Sequence, residues 1–513
     1  MSLAPDTNRR QRLLRNTILA FGSWLIPILP TFIATPILIH RLGSENYGLY
    51  VGIVAVISYF FTAGIGRVAA KYIAEYYASN SKERIPQVFS ATIILSTVLG
   101  LIFVGVLVVF VRYLVVSVLR TPDSQQEQAT TGLYLACAIV LSTTFGQIYQ
   151  FVIQGVQRFG RIFLLTNISG ALLNFGSIAI VLLGFGVREL LIWMLVVNTV
   201  FAAVFYFVGR QFVPECRFTL KISSRVWRMV GIYAVSMILH QMFGNALLLF
   251  ERGWILRKFG AESLAFYSVA MTLAMYVQLF ASNLVLGSFP TLNELLPEPE
   301  KLRRLYAKGS KFLLAFVVLF VVGLLTCGPT FLALWIGSEF SKAASGILLI
   351  QVITFGILAM CTIIWQVNES YNAAAVNTLA TFLWMTISIP LMVVLTYTMA
   401  SPTAVALARL IGVGVFIPFL FGSEYRFLGS QLKSLWLPQS WRMVLSGAVT
   451  ATVCWVILRI GGGTWPVLIL ASSVGSAAFI GMLILCGTFD LEEREFIRSV
   501  LIRRSEPPPE AVL

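Results

Sequence analysis

Long apolar runs recur along the whole 513-residue chain, and they restrict it to one architecture. Each run is long enough to cross a hydrocarbon core of ~30 Å as a helix. Lipid offers no partners to backbone N–H and C=O groups, so a crossing segment must satisfy them within itself. The short alternating segments of a transmembrane barrel are not visible. About 14 spans can be read. They fall at 17–39, 46–66, 87–111, 131–153, 163–184, 188–209, 229–254, 263–286, 312–335, 344–366, 376–398, 403–422, 441–460 and 464–487. Only 12% of the residues are charged, about half the share in a soluble domain. The expected class is an all-α polytopic membrane protein.

Charge sets the orientation. A net charge of +15 can signal nucleic acid, but in such a chain it reads as basic cytoplasmic loops, and no nucleic acid is expected as a partner. With the N-terminus inside, about 27 of the 37 Lys and Arg fall in cytoplasmic segments, which places both termini in the cytoplasm. The basic start TNRRQRLLRNTI leads into the first span without a small-residue cleavage site, so that span reads as uncleaved. The tail DLEEREFIRSVLIRRSEPPPEAVL reads as a short interfacial helix. Six cysteines form no CxxC pair and read as small buried hydrophobes. Two distant histidines suggest no metal site. No cofactor is expected.

One passage is written twice. Residues 40–60, HRLGSENYGLYVGIVAVISYF, align with residues 257–277, RKFGAESLAFYSVAMTLAMYV. Gly43 meets Gly260, Glu45 meets Glu262, Tyr50 meets Tyr267 and Tyr59 meets Tyr276, always 217 residues apart. Six spans separate the copies, so both turns face the same side and the repeat is parallel. The expected organisation is two halves of six helices each, 1–209 and 210–422. Extra spans 13 and 14 (423–487) and a cytoplasmic tail (488–513) follow. Locally, Gly43 and Gly260 suit the left-handed conformation that ends a helix. Glu45 and Glu262 then sit where the next helix dipole favours a carboxylate. Tyr47, Tyr50 and Tyr267 are expected at headgroup level.

RLGSENYGLYVGI, after a proline-containing span and before a basic loop, resembles the signature of polysaccharide-export flippases. Leu334-Trp335-Ile336-Gly337-Ser338-Glu339-Phe340 resembles the second-half pattern of the same family. That family of O-antigen flippase-like, lipid-linked oligosaccharide transporters belongs to the multidrug/oligosaccharidyl-lipid/polysaccharide exporter superfamily. The resemblance covers roughly residues 10–430. It implies two six-helix lobes, an N-lobe (1–209) and a C-lobe (210–422), around a central cavity and working by alternating access in a bacterial inner membrane. The implied cargo is an undecaprenyl-diphosphate-linked oligosaccharide, with a polysaccharide polymerase and glycosyltransferases as partners besides the lipid bilayer.

Polar groups inside spans are costly and mark candidate functional residues. In span 7, Gln241, Asn245 and Arg252 share one helical stripe, and His240, Gly244 and Glu251 the adjoining one. Arg252 either faces water or a ligand, or contacts Glu251 or a headgroup. In span 4, Thr143, Gln147, Gln150 and Gln154 lie on one face, suited either to sugar hydroxyls or to interhelical bonds. Asn167, Asn174 and Ser177 add to it from span 5. Arg15 and Arg67 stand at cytoplasmic mouths and Arg409 lies inside span 12, where guanidinium groups match phosphate oxygens unless they merely snorkel. Glu251 and His240 are the candidates for ion coupling. Pro27, Pro30 and Pro36 in span 1, with Gly244 and Gly253 in span 7, are candidate hinges or static kinks.

Enzyme chemistry is not expected. There is no G-x-x-x-x-G-K-[ST], and no credible nucleophile–base pair stands out. Two other transporter readings stay open. A lipid II flippase would use spans 13 and 14 as a lipid groove. A multidrug cation antiporter of the same fold needs embedded carboxylates, and Asp6, Asp123 and Asp490 all lie outside the spans.

Overall fold

The computed structural model describes residues 29–488 other than 62–64, 79–80, 119–120, 157, 287–295 and 372. Those residues form helices and short connections, with no strand among them. α1 (Leu29–Leu42) is followed by α2 (Ser44–Phe61), α3 (Ile65–Ala78), α4 (Ile85–Tyr113), α5 (Asp123–Gly155), α6 (Phe159–Leu182) and α7 (Val187–Phe212). The next group is α8 (Ser224–Leu286), α9 (Pro299–Trp335), α10 (Ser338–Met360), α11 (Thr362–Ser370), α12 (Ala374–Met399), α13 (Pro402–Val413) and α14 (Phe416–Leu428). α15 (Leu437–Gly461) and α16 (Trp465–Leu485) complete it.

Among the described residues, eleven helices are long and apolar enough to cross a membrane. One of them, Met242–Val285, holds two limbs, because α8 leaves helical geometry at Gly260. The figure of fourteen is not established by this count. Most of the expected first span lies outside the described residues, as do Arg15, Pro27 and the tail beyond 488. The outer helices show the inverted surface that lipid demands: Val109 of α4 is 75% exposed and Phe207 of α7 69%.

Both copies of the repeated passage turn as their glycines allow. Gly43 has φ +81° and Gly260 φ +83°, a region in which an L side chain is strained. The Gly43 N–H closes α1 by bonding the Ile39 carbonyl at 2.9 Å. The tyrosines that follow behave differently from the headgroup expectation. Tyr47 is buried and Tyr267 is fully buried, so both serve the interior. The reason is neighbouring structure: α2 lies along α8 on both sides of its turn. A β-carbon at Gly48 would fall 1.6 Å from the Ala261 carbonyl oxygen, and one at Gly52 would fall 3.2 Å from Leu264.

Packing gathers α3, α4, α5 and α7 around Ile73, Phe89, Ile153 and Phe205. A larger core runs from α1 through α8 to α14 and takes in residues of α2, α5 and α7. α15 and α16 pack on each other and against α9, through Ala315, Met443, Phe479 and Leu483. All six cysteines are free. Cys216, in the link between α7 and α8, is buried, and burial pushes its thiol up to about 12, so it stays protonated at neutral pH.

Candidate transport site

The first limb of α8 carries the polar residues flagged in span 7, and it meets α2 and α5 as well as α12 and α13. Successive residues on it point apart by about 100°, so Glu251 and Arg252 serve opposite neighbours. Glu251, with no exposed surface, meets α13: its Oε2 accepts from Arg409 Nη1 at 2.6 Å. Tyr267, from the second limb, donates its hydroxyl to Glu251 Oε1. Gln351 of α10 donates to the Tyr267 oxygen at 2.5 Å. A carboxylate can stay buried only when paired and bonded in this way.

Arg409 is as deeply buried as its partner. Its guanidinium centre lies 4.9 Å from the Phe355 ring centroid and 5.1 Å from that of Trp384. Nη1 also touches the Met271 sulfur at 3.7 Å. Flat, weakly hydrated guanidinium tolerates such a sandwich better than ammonium would. Nε has no hydrogen-bond partner among the described residues. Arg409 forms part of the wall of a cavity of about 240 Å³, together with Gly244, Gln278, Thr381, Trp384 and Phe416.

Arg252 faces the other way. It and Gly253 line a small apolar gap of about 60 Å³ with Leu49 and Ile53 of α2 and Leu133 of α5. This gap is the seam among α2, α5 and α8. Its charge is felt by Tyr47 and by Glu251. Glu251 is thus flanked by two guanidinium groups but bonds to the distant one in sequence.

The remaining candidates divide. Asn245 lies half-buried on the same limb. The side chains of Arg67, His240 and Gln241 lie outside the described residues. On α5, Thr143 turns its hydroxyl back to Ile139 and Val140 carbonyls, whereas Gln147 and Gln150 are half-buried and Gln154 is exposed. Asn167, Asn174 and Ser177 each donate to the carbonyl four residues earlier, which occupies them within their own helix. Pro30 and Pro36 lie within α1, and the Pro36 carbonyl accepts from His40 at 2.7 Å. In α8 only Gly260 leaves helical geometry, so Gly244 and Gly253 lie in regular helix and line cavities.

Gln351 and Glu424 are polar residues that the sequence reading missed, and Tyr267 is one that it placed at headgroup level instead of in the interior. Glu424, buried on α14, accepts the Trp436 indole N–H on both oxygens at 2.9 and 3.0 Å, tying α14 to the start of α15. No group of three potential metal ligands occurs among the described residues.

An all-helical fold with many membrane-crossing helices and an enclosed ion pair describes a multi-pass membrane protein. The match is direct: residues 39–345 correspond to the family described as "Polysaccharide biosynthesis protein", and the chain belongs to that family. It is 23% identical over 366 residues to a protein of Shigella flexneri named "Putative O-antigen transporter", covering 68% of this chain and 84% of that one. Solved structures share the fold. The lipid II flippase MurJ, in an inward closed conformation, superposes with a TM-score of 0.72 at 13% identity, over 94% of this chain and 100% of that one. An inward-facing multidrug resistance MATE family transporter of the MOP superfamily gives 0.66 at 16% identity, over 80% and 94%. A MOP superfamily transporter from Pyrococcus furiosus gives 0.61 at 16% identity, over 82% and 96%. The resemblance read in RLGSENYGLYVGI therefore extends to the family and to the fold.

Proposed function

We propose that this protein is a flippase that moves an undecaprenyl-diphosphate-linked oligosaccharide from the cytoplasmic to the periplasmic leaflet by alternating access. It would serve O-antigen, capsule or exopolysaccharide assembly in a bacterial inner membrane, with both termini in the cytoplasm. Glycosyltransferases would supply the lipid-linked unit and a polymerase would consume it. Family membership supports the broad class. The observation that carries the choice within the fold is the Glu251–Arg409 pair. The carboxylate embedded in α8, the group a cationic drug would need, is already neutralised by the protein's own guanidinium. Arg252 brings a guanidinium to the wall of the gap among α2, α5 and α8, and in this reading it serves a diphosphate rather than a drug cation. Arg15 and Arg67 belong in this reading as loading residues at the cytoplasmic mouth. Thr143, Gln147, Gln150, Gln154, His240, Gln241 and Asn245 would supply amide, hydroxyl and imidazole contacts to sugar.

Lipid II transport is the second reading, favoured by the full-length fit to the lipid II flippase and by α15 and α16 seated on α9. Reconstituted protein separates the two. Undecaprenyl-diphosphate oligosaccharide should move across the vesicle membrane while lipid II and ethidium do not. Movement of lipid II alone would transfer the assignment to the second reading, and movement of ethidium alone would overturn both.

A further inference from the structure

The 240 Å³ cavity beside Arg409 lies wholly among α8, α10, α11, α12 and the chain from Arg409 to Phe416. Its wall is neutral overall, because the charge of Arg409 is cancelled by Glu251. An anion therefore gains little there. What the wall offers is aromatic surface from Trp365, Trp384 and Phe416, interrupted by a few hydrogen-bonding groups. Arg409 Nε is a buried donor without a partner among the described residues. Thr381 gives its proton to the Asn377 carbonyl at 3.0 Å, so its oxygen is left to accept. Gln278 brings both a donor and an acceptor. A polyprenyl chain would leave these groups unsatisfied, at a cost. A sugar ring answers both features, with C–H faces for the aromatic rings and hydroxyls for the polar groups. The volume falls just below the range of about 300–1,000 Å³ typical of ligand pockets, so it suits one ring and not a whole oligosaccharide.

We propose that this cavity is a subsite for a single neutral sugar ring of the transported headgroup. The proposal rests on the flippase reading above, and adds a specificity site to it. Trp384 and Trp365 stack on the ring, while Gln278, Thr381 and Arg409 select its hydroxyl pattern. Gly244 keeps the space open, since a β-carbon there would have its nearest neighbour 4.0 Å away, at the Thr381 methyl. A leucine would project a side chain into that space.

Saturation-transfer NMR on the purified full-length protein in detergent tests this, with methyl glycosides of glucose, galactose and N-acetylglucosamine as probes. At least one glycoside should receive saturation at its ring C–H protons. The effect should fall about tenfold in Thr381→Val, as one lost hydrogen bond predicts. It should vanish in Gly244→Leu, while both variants elute like the parent protein. No transfer from the parent protein to any glycoside overturns the subsite. So does equal transfer in both variants, or displacement of the glycoside by undecaprenyl phosphate, which has no sugar and would assign the cavity to the lipid chain. Export in a strain that depends on this chain is scored separately. Export without glycoside binding sinks the subsite alone, whereas no export of polysaccharide sinks the flippase reading.

Discussion

At the scale of single residues, removing one partner of the Glu251–Arg409 pair should be worse than removing both. Arg409→Ala leaves a carboxylate with no exposed surface that keeps the Tyr267 hydrogen bond and the nearby charge of Arg252 but loses its bonded guanidinium. One-sided loss of a buried pair costs about 3–5 kcal/mol, whereas replacing both charges by groups of similar volume is often nearly neutral. Glu251→Gln combined with Arg409→Met should therefore survive heating in detergent better than Arg409→Ala, read as the monodisperse fraction after a temperature ramp. A double variant that fails at the same temperature as the single would show that packing, not charge, governs the site. Arg252→Ala should behave in the opposite manner, with export reduced at unchanged stability and membrane abundance, and Arg252→Lys should restore part of it because lysine keeps the charge but loses the paired donors. Surface polysaccharide and membrane protein levels, measured together, decide this. Glu251, Arg252 and Arg409 were legible from sequence, because a charge within an apolar run is conspicuous, whereas Glu424, at the end of its run, was not. The pairing was hidden too: Arg409 lies 158 residues from Glu251, and helical spacing fixes which residues share a face but not which helix comes to meet it. Tyr267 was misplaced for a related reason. A tyrosine near a span end suits either a headgroup or a buried acceptor, and only the neighbouring helix decides.

At the scale of elements, the repeated passage is where sequence and structure agree most closely, because a glycine with positive φ between two apolar runs has few other uses. Its second role was invisible, since nothing in one sequence says that α2 will lie against the Gly260 turn. Gly48 permits that contact, and a β-carbon there meets backbone, which cannot rotate away as a side chain can. Gly48→Val should hold α2 off α8 and so open the seam at this end. In the proposed orientation, Ala265→Cys, buried in the parent, should then label faster with a membrane-impermeant maleimide added to whole cells. Unchanged labelling would mean that the helices accommodate the side chain elsewhere. The same reagent tests the orientation itself. Ser44→Cys should be modified from outside and Asn80→Cys spared, as the Lys and Arg asymmetry requires; the reverse pattern would invert the topology.

At the scale of the whole molecule, the question is what drives a net step across the membrane. A −2 diphosphate moving outward across a negative-inside membrane is favoured by about 4.6 kcal/mol per 100 mV, at ~2.3 kcal/mol per charge, provided the whole charge crosses the whole field and the protein's charges stay put. That is enough to bias the cycle without a coupled ion. The structure adds a reason to expect that Glu251, the embedded carboxylate of α8, does not carry a proton or sodium: it is held by Arg409 and Tyr267. To act as a carrier it would have to leave that pair within every cycle, exposing a buried guanidinium sandwiched between Phe355 and Trp384. Transport in proteoliposomes should therefore follow an imposed potassium-diffusion potential, rise with its magnitude and reverse preference with its sign. It should proceed without a sodium or a pH gradient. Transport indifferent to potential but dependent on either gradient would overturn this account. If that gradient dependence then disappeared in Glu251→Gln while the variant stayed folded, Glu251 would be the coupling group and the ion pair one state of its cycle.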